Sequence, residues 1–220
     1  MPELPKIKEY FQKYENEIYR LVEGQHFIST RKLVDSDKEQ EVLERILDKS
    51  KPFAPLENSF GKLHYLLYRP FRYPPLKAGA RFHTRLEQSI FYGAEDIKTS
   101  MTEVAYGRFS FIRHTDAKFK PMQVPYTNFI VKVRSQKSVL LNKQPFDKDI
   151  DQISHPSSYL YSQQLGKLMR GEGAELFTYF SARRRQGINV GLFSPEAFAS
   201  NKPIIGKEKH WQLWITDKVI

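Results

Sequence analysis

Apolar positions recur at two spacings along the chain, and each spacing predicts one kind of element. Recurrence at three and four residues is typical of amphipathic helices. It occurs in the segments 5–22, 37–49, 97–105 and 159–170. Short runs of β-branched and aromatic residues, or strict alternation, predict strands. They occur at 89–92, 129–133, 138–141, 175–179, 188–193 and 210–220.

The order of these elements predicts an α+β fold class. Helices and strands are mixed at hairpin-like spacings and do not form regular βαβ units. Pro70, Pro74 and Pro75 predict an extended connector. No linker is long enough to separate domains, so we expect one domain. Within residues 1–220, we expect a helical N-terminal part, 1–70, packed on a core, 71–220, that carries the site.

Residues 77–109 form the stretch around which the chain is organised. A turn of small residues leads into Arg81, which we place on a short strand, and a second strand ends near Tyr92. Asp96 is the predicted N-cap of a helix that carries Glu103. Two strands and a packed helix would bring these three side chains together.

The same three side chains have an ordinary structural interpretation. Arg81 would then be a surface cation, and Tyr92 an aromatic residue at a strand end with its hydroxyl in water. Glu103 lies off the apolar face of its helix, which is typical of a solvated glutamate. Spacing alone leaves both interpretations open.

Composition limits the classes of protein to which the chain can belong. Hydrophobic residues make up 40% and aromatic residues 14% of the chain, which indicates a folded globule. Cysteine is absent, which excludes disulfides and thiolate metal sites. The first residues lack the apolar core of a signal peptide, and no run of eighteen apolar residues occurs. We therefore expect a soluble cytoplasmic protein without membrane association.

The net charge of +10 favours an anionic partner, such as nucleic acid, a phosphorylated ligand or an acidic protein. Basic residues are spread along the chain, and the compact cluster is 183–185. No zinc-finger, RNA-recognition or helix-turn-helix pattern accompanies it, so direct nucleic-acid binding is the weaker hypothesis. The turn at Ser181 offers a hydroxyl and cations for a phosphate, although a solvated loop explains it as well.

Several standard motifs are absent. The chain has no GxGxxG and no GxxxxGK[ST] sequence, so no dinucleotide-wrapping or nucleoside-triphosphate fold is indicated. Its six histidines show neither HxxxH nor HExxH spacing, and we predict no metal site. The absence of GxSxG argues against a serine hydrolase.

Four sequence blocks resemble the RES-domain family, the toxins of a class of bacterial toxin–antitoxin systems. They read IYRLVEGQHFISTRKLVDS, PFRYPPLKAGARF, FYGAEDIKTSMTEVAYGRF and YSQQLGKLMRGEGAELFTYFSARRRQGINVGLFSPEAF, and a tryptophan-rich strand follows. They occur in the family's order and cover nearly all of 15–219. Many relatives read R-W-N-x-P-G from the arginine onward, where this chain reads RFHTRL, and many have proline at the position of Ile97.

The resemblance implies a fold and an activity. Related proteins have an ADP-ribosyltransferase-like fold, with central twisted β-sheets flanked by helices, and consume NAD+ as glycohydrolases or phosphorylases. Some relatives transfer ADP-ribose to a protein instead. NAD+ would be a substrate, so no separate cofactor is expected, although inorganic phosphate could be a second substrate. The resemblance also implies a neutralising antitoxin with a helix-turn-helix DNA-binding domain.

The family's arginine, tyrosine, glutamate and serine fall on Arg81, Tyr92, Glu103 and Ser181. On this resemblance Glu103 would stabilise the oxocarbenium-like ribose, and Arg81 would bind the pyrophosphate or the attached ribose. Tyr92 would stack on nicotinamide, while Ser181 would hydrogen-bond the nicotinamide portion or a phosphate. Asn189 and Arg183 are further candidates for binding NAD+ near the serine. The sequence leaves water, phosphate and protein open as acceptors.

Overall fold

The computed structural model of the protein describes residues 6–24, 36, 38–39, 42–43, 46, 62–72, 77–114, 121–204 and 209–216. The helices described over their whole length are α1 Tyr65–Arg72, α2 Ile97–Arg113, α3 Ile150–Ile153 and α4 Leu160–Gly171. Short 3-10 helices lie at Ile7–Tyr10, Phe146–Asp149 and Pro195–Ala197. The strands are β1 Gln12–Glu23, β2 Phe91–Ala94, β3 Met122–Leu140, β4 Leu176–Phe180, β5 Ile188–Leu192 and β6 Lys209–Ile215.

The six strands form one sheet in the order β1-β2-β5-β4-β3-β6, and an additional β1–β3 pairing closes five of them into a ring. Strand β3 makes this closure possible because it is 19 residues long. Its first part pairs with β6, its middle with β1 and its last three residues with β4. The β3–β4 pair is parallel, and the other pairs are antiparallel.

Burial along β3 shows where the core lies. Residues 126–131 are buried without interruption, as expected where both faces of a strand are covered. From 131 to 136 burial alternates, so one face points to solvent there. One core cluster packs around Ile18, Phe91 and Phe129, and a second lies beneath α4. In the second cluster the ring of Phe82 lies 4.4 Å from that of Phe177.

The fold class predicted from sequence, α+β with a central sheet and flanking helices, is confirmed. The strands predicted at 175–179 and 188–193 and the helix at 159–170 are present, with ends shifted by one residue. The strand predicted at 210–220 is present over Lys209–Ile215, and its last four predicted residues lie outside the described part of the chain. The two strands predicted at 129–133 and 138–141 are parts of the single strand β3. Among the described residues, no helix combines the length and apolarity needed to cross a bilayer.

The helix predicted over residues 5–22 is wrong. A 3-10 turn at Ile7–Tyr10 is followed by β1, which pairs with β3 along nearly its whole length. Tyr14 and Ile18 are four residues apart, and a spacing of four places two side chains on one face of a strand as well as of a helix. Pairing with β3 therefore determines that this segment is a strand and not a helix.

Two further expectations concern the N-terminal part. Pro70 lies inside α1, which ends two residues later at Arg72, and not in an extended connector. Pro74 and Pro75, the other two prolines of the predicted connector, lie outside the described residues. Most of the helix predicted over 37–49 lies outside the described residues, and those described within it are helical. The predicted boundary at residue 70 stays a prediction, although β1 belongs to the same sheet as the strands of the core.

Candidate active site

Helix α2 places Glu103 at a cleft, because its N-terminus is capped and its apolar face packs against a core cluster. Asp96 is the N-cap, as predicted, and its carboxylate accepts a hydrogen bond from the backbone N–H of Thr99 at 3.0 Å. Ile97, Met101 and Val104 pack against the cluster that contains Leu21. Glu103 lies off that apolar face and lines the cleft.

Asp96 also anchors the loop that follows β4. Its carboxylate forms an ion pair with Arg184 at 2.9 Å, and the same guanidinium nitrogen donates to the hydroxyl of Thr99 at 2.7 Å. Burial alone would raise the pKa of Asp96, but the hydrogen bonds from Thr99 and the charge of Arg184 outweigh it and lower that pKa. The start of α2 and the loop after β4 are therefore held as one unit.

The carboxylate of Glu103 is held through one of its two oxygens. Ser181 Oγ donates to Glu103 Oε1 at 2.6 Å, and Asn189 Nδ2 donates to the same oxygen at 2.7 Å. Within the part of the chain that the structure describes, Oε2 has no hydrogen-bond partner. One oxygen is thus fixed, while the other is available to a ligand in the cleft.

The hydroxyl of Ser181 donates its hydrogen in one fixed direction. Its oxygen accepts hydrogen bonds from the backbone N–H groups of Arg183 and Arg184, both at 3.0 Å. A hydroxyl has two acceptor positions and one donor, so these two bonds leave its hydrogen directed at Glu103. In this arrangement Ser181 is bound to the site carboxylate and is not itself a residue of the cleft wall.

Arg81 lies in a turn and not on the strand predicted for it. Ala80 and His83 form an isolated bridge around the turn. The guanidinium of Arg81 donates to the backbone carbonyl of Ile153 at 3.2 Å and to that of His155 at 2.8 Å. It also stacks on the ring of Tyr159, at 4.6 Å from the centroid. The arginine therefore enters the cleft in a fixed orientation.

Helix α4 shapes the turn that carries Arg81. The side-chain amide of Gln163 donates to the carbonyls of Ala80 at 3.0 Å and His83 at 3.3 Å. One turn further along the helix, Gly166 lies so close to the turn that an added Cβ would be 2.1 Å from the carbonyl oxygen of Phe82. A glycine is therefore required where the helix and the turn meet.

Tyr92 lies on β2, as predicted, and its side chain reaches the cleft. Burial raises the pKa of Tyr92 well above its ordinary value, so the phenol is neutral at physiological pH. Burial likewise raises the pKa of Tyr179, another residue of the cleft wall. These two rings and Tyr159 give this end of the cleft an aromatic lining.

Arg20 is a residue of the cleft that sequence reasoning missed. Its guanidinium donates to the backbone carbonyl of Tyr92 and lies 4.6 Å from the centroid of the Phe91 ring. Burial lowers the pKa of Arg20 to about 10, and its Nε has no partner among the described residues. The signal in the sequence is a single cation within the apolar run 18–22. A buried cation that has no carboxylate partner among the described residues favours an anionic ligand.

The cleft has a volume of about 1160 Å³. Five of the six residues predicted from sequence line it, namely Arg81, Tyr92, Glu103, Arg183 and Asn189. The sixth, Ser181, lies behind Glu103. Among the described residues there is no group of three or more His, Cys, Asp or Glu side chains that could hold a metal ion.

Comparison with known proteins agrees with this architecture. The model of the RES domain family matches residues 57–216, which is more than half of the chain. The crystal structure of the M. tuberculosis MbcT-MbcA toxin-antitoxin complex contains a chain of similar fold, with a TM-score of 0.52 and 10% sequence identity. The alignment covers 94% of this chain and 90% of that chain. No curated protein sequence matches. The chain belongs to the RES domain family.

Proposed function

We propose that the protein degrades NAD+ by cleaving the bond between nicotinamide and ribose. The observation that carries this proposal is the carboxylate of Glu103, fixed at Oε1 by two donors and free at Oε2 toward a cleft. The cleft also contains cations and aromatic rings. A dinucleotide has two phosphates and two flat bases, so it needs this combination of side chains.

Cleavage of the bond between nicotinamide and ribose is suited to a site that contains a carboxylate. When the bond from ribose C1′ to nicotinamide breaks, its electron pair goes to the ring nitrogen, which becomes neutral, so no general acid is needed. Positive charge develops on the ribose, as in glycoside hydrolysis. Glu103 Oε2 would stabilise that charge or accept a hydrogen bond from a ribose hydroxyl. Water or phosphate then forms the new bond to C1′, and attack by water releases its proton.

The cations have complementary roles in the proposal. Arg20 and Arg183 would bind phosphate oxygens of the substrate, since neither forms an ion pair with a described carboxylate. Arg81, which also lines the cleft, would contact the ribose or the pyrophosphate. Tyr92 would pack against the cationic nicotinamide ring. Asn189 would both orient Glu103 and line the substrate pocket.

We also propose that the protein is the toxin of a toxin–antitoxin pair. A chain of similar fold was solved in a toxin-antitoxin complex, and depletion of NAD+ would explain toxicity. The partner would be a separate antitoxin chain with a helix-turn-helix DNA-binding domain. The net charge of +10 is suited to an acidic segment of such a partner.

The proposal is tested by incubating the purified protein with NAD+, with and without inorganic phosphate, beside Glu103→Ala. Chromatography should show free nicotinamide from the wild type and intact NAD+ from the variant. ADP-ribose as the second product would indicate hydrolysis, and ADP-ribose 1″-phosphate would indicate phosphorolysis. Label transferred to a macromolecule in a lysate would indicate protein ADP-ribosylation. Intact NAD+ in every tube would overturn the proposal.

Ser181→Ala is expected to lower kcat about ten- to a hundredfold with little change in KM, because a hydrogen bond to a charged group contributes about 1.5 to 3 kcal/mol. The variant removes one of the two donors to Glu103 Oε1 and leaves the donor from Asn189 in place. Ser181→Cys, which keeps a weak donor of similar size, should recover part of kcat. A rise in KM without a fall in kcat would instead assign Ser181 to substrate binding.

A further inference from the structure

The cleft continues along α2 well beyond Glu103. Gly107, Ser110, Phe111 and His114 line it over the following turns of the helix. Glu103 and His114 are eleven residues apart, which corresponds to about 16 Å along a helix axis. Cleavage at the ribose uses the Glu103 end, so this second half of the cleft has no role in the bond-breaking step.

Gly107 has no side chain, so the backbone of α2 is uncovered at this position and forms a flat floor in that half of the cleft. An added Cβ at this position would meet nothing within 4 Å, so no packing within the described protein requires a glycine here. A glycine inside a helix costs about 1 kcal/mol relative to alanine. Open space above a helix backbone, at a position that lines a cleft, is suited to a flat group of a ligand.

Two exposed aromatic residues also line this half of the cleft. The side chains of Phe111 and Tyr106 are 65% and 38% exposed. Exposed rings that line a concave surface are typical of a binding surface. Phe111 follows Gly107 by one helical turn, so the two lie on one face of α2 and both line the cleft. We call the apolar surface that they share the slot, and such a surface favours a planar aromatic group.

A cation lies beside Tyr106, which is between Glu103 and Gly107 in the sequence of α2. The guanidinium of Arg183 stacks on the ring of Tyr106, at 3.4 Å from its centroid, and donates to the backbone carbonyl of Pro156. It forms no ion pair with a carboxylate of the described residues. Along α2 the order is therefore a carboxylate at Glu103, a cation beside Tyr106 and an apolar slot at Gly107.

We infer that the segment of the cleft from Gly107 to His114 is a subsite for the distal nucleoside of a dinucleotide, with its purine base between Gly107 and Phe111. This inference rests on the proposed function, because it takes the reacting ribose at Glu103 as its starting point. The same order of groups occurs in the substrate: ribose, diphosphate, base. The subsite makes the enzyme selective for NAD+ over nicotinamide mononucleotide, which lacks the distal nucleoside.

Gly107→Leu tests the subsite, because its Cβ would meet nothing within 4 Å and its side chain would cover the open backbone. We expect KM for NAD+ to rise about tenfold or more, because loss of base stacking weakens the binding of nucleotides to other proteins by a similar factor. Turnover of nicotinamide mononucleotide should stay unchanged. Gly171→Leu is the matched control, since Gly171 also lies in a helix with open space around it and is outside the cleft.

Calorimetry with ADP and with pyrophosphate separates failure of the subsite from failure of the proposed function. We expect ADP to bind the wild type and to bind Gly107→Leu at least about fivefold more weakly. Pyrophosphate should bind both equally. Equal ADP affinity in the two proteins, or no ADP binding at all, would overturn the subsite even if NAD+ is cleaved. Intact NAD+ together with ADP binding that depends on Gly107 would overturn only the proposed activity.

Discussion

Glu103→Gln is expected to lower kcat for NAD+ cleavage about a hundredfold to a thousandfold, the usual cost of removing an electrostatic stabiliser. KM and the unfolding temperature should change little. The reason lies in the two donors at Glu103 Oε1, Ser181 and Asn189, which require an acceptor at that position. The amide oxygen of glutamine therefore occupies it, and the amide NH₂ takes the place of Oε2.

This substitution changes the group that faces the cleft and little else. A carboxylate oxygen is replaced by an N–H donor of similar size, so the developing positive charge on ribose meets the wrong partial charge. Glu15→Gln is the matched control, because Glu15 is exposed and pairs with Lys13 on β1. A Glu103→Gln protein with wild-type kcat would show that the carboxylate does not stabilise the transition state.

The part of the site carried by β2 and α2 could be predicted from sequence because its signals are local. An N-cap at Asp96 and apolar residues at helical spacing place Glu103 on a helix and off its apolar face. Tyr92 is in a short run of strand-forming residues, and the structure places it on β2. Each of these inferences depends on residues within about two helical turns of one another.

The contacts that complete the site join distant parts of the chain, and no local pattern reveals them. Ser181 and Asn189 lie 78 and 86 positions from Glu103 in sequence. The turn at Arg81 is also held by Gln163, about 80 positions away, which donates to the carbonyls of Ala80 and His83. Arg20 was missed for a similar reason, since only the fold shows that its strand borders the cleft.

Gly166→Ala is expected to reduce both stability and activity, although Gly166 is not a residue of the cleft wall. Its added Cβ would lie 2.1 Å from the carbonyl oxygen of Phe82, whereas C···O contacts normally lie at about 3.3 to 3.6 Å. Either α4 or the turn must move by about 1 Å. Overpacking of this kind typically costs about 1 to 3 kcal/mol in the free energy of unfolding.

The same displacement is expected to lower the rate of NAD+ cleavage. Phe82 directly follows Arg81, and its ring packs against Phe177 and Tyr179 at 4.4 and 4.8 Å between ring centroids. The buried ring resists movement, so the strain falls on the turn and moves the guanidinium of Arg81. A misplacement of 1 Å can cost about a hundredfold in rate. We therefore expect kcat/KM for NAD+ to fall about a hundredfold in the folded protein.

Urea denaturation measures the stability change, and kcat/KM is measured well below the unfolding transition, where circular dichroism shows the variant folded. Gly171→Ala is the control, because open space surrounds Gly171 and both quantities should stay near those of the wild type. Gln163→Met keeps the side-chain volume but removes the donors to the turn, so it should lower activity with a smaller loss of stability. If Gly166→Ala is destabilised but Gln163→Met retains full activity, helix α4 stabilises the fold without positioning Arg81.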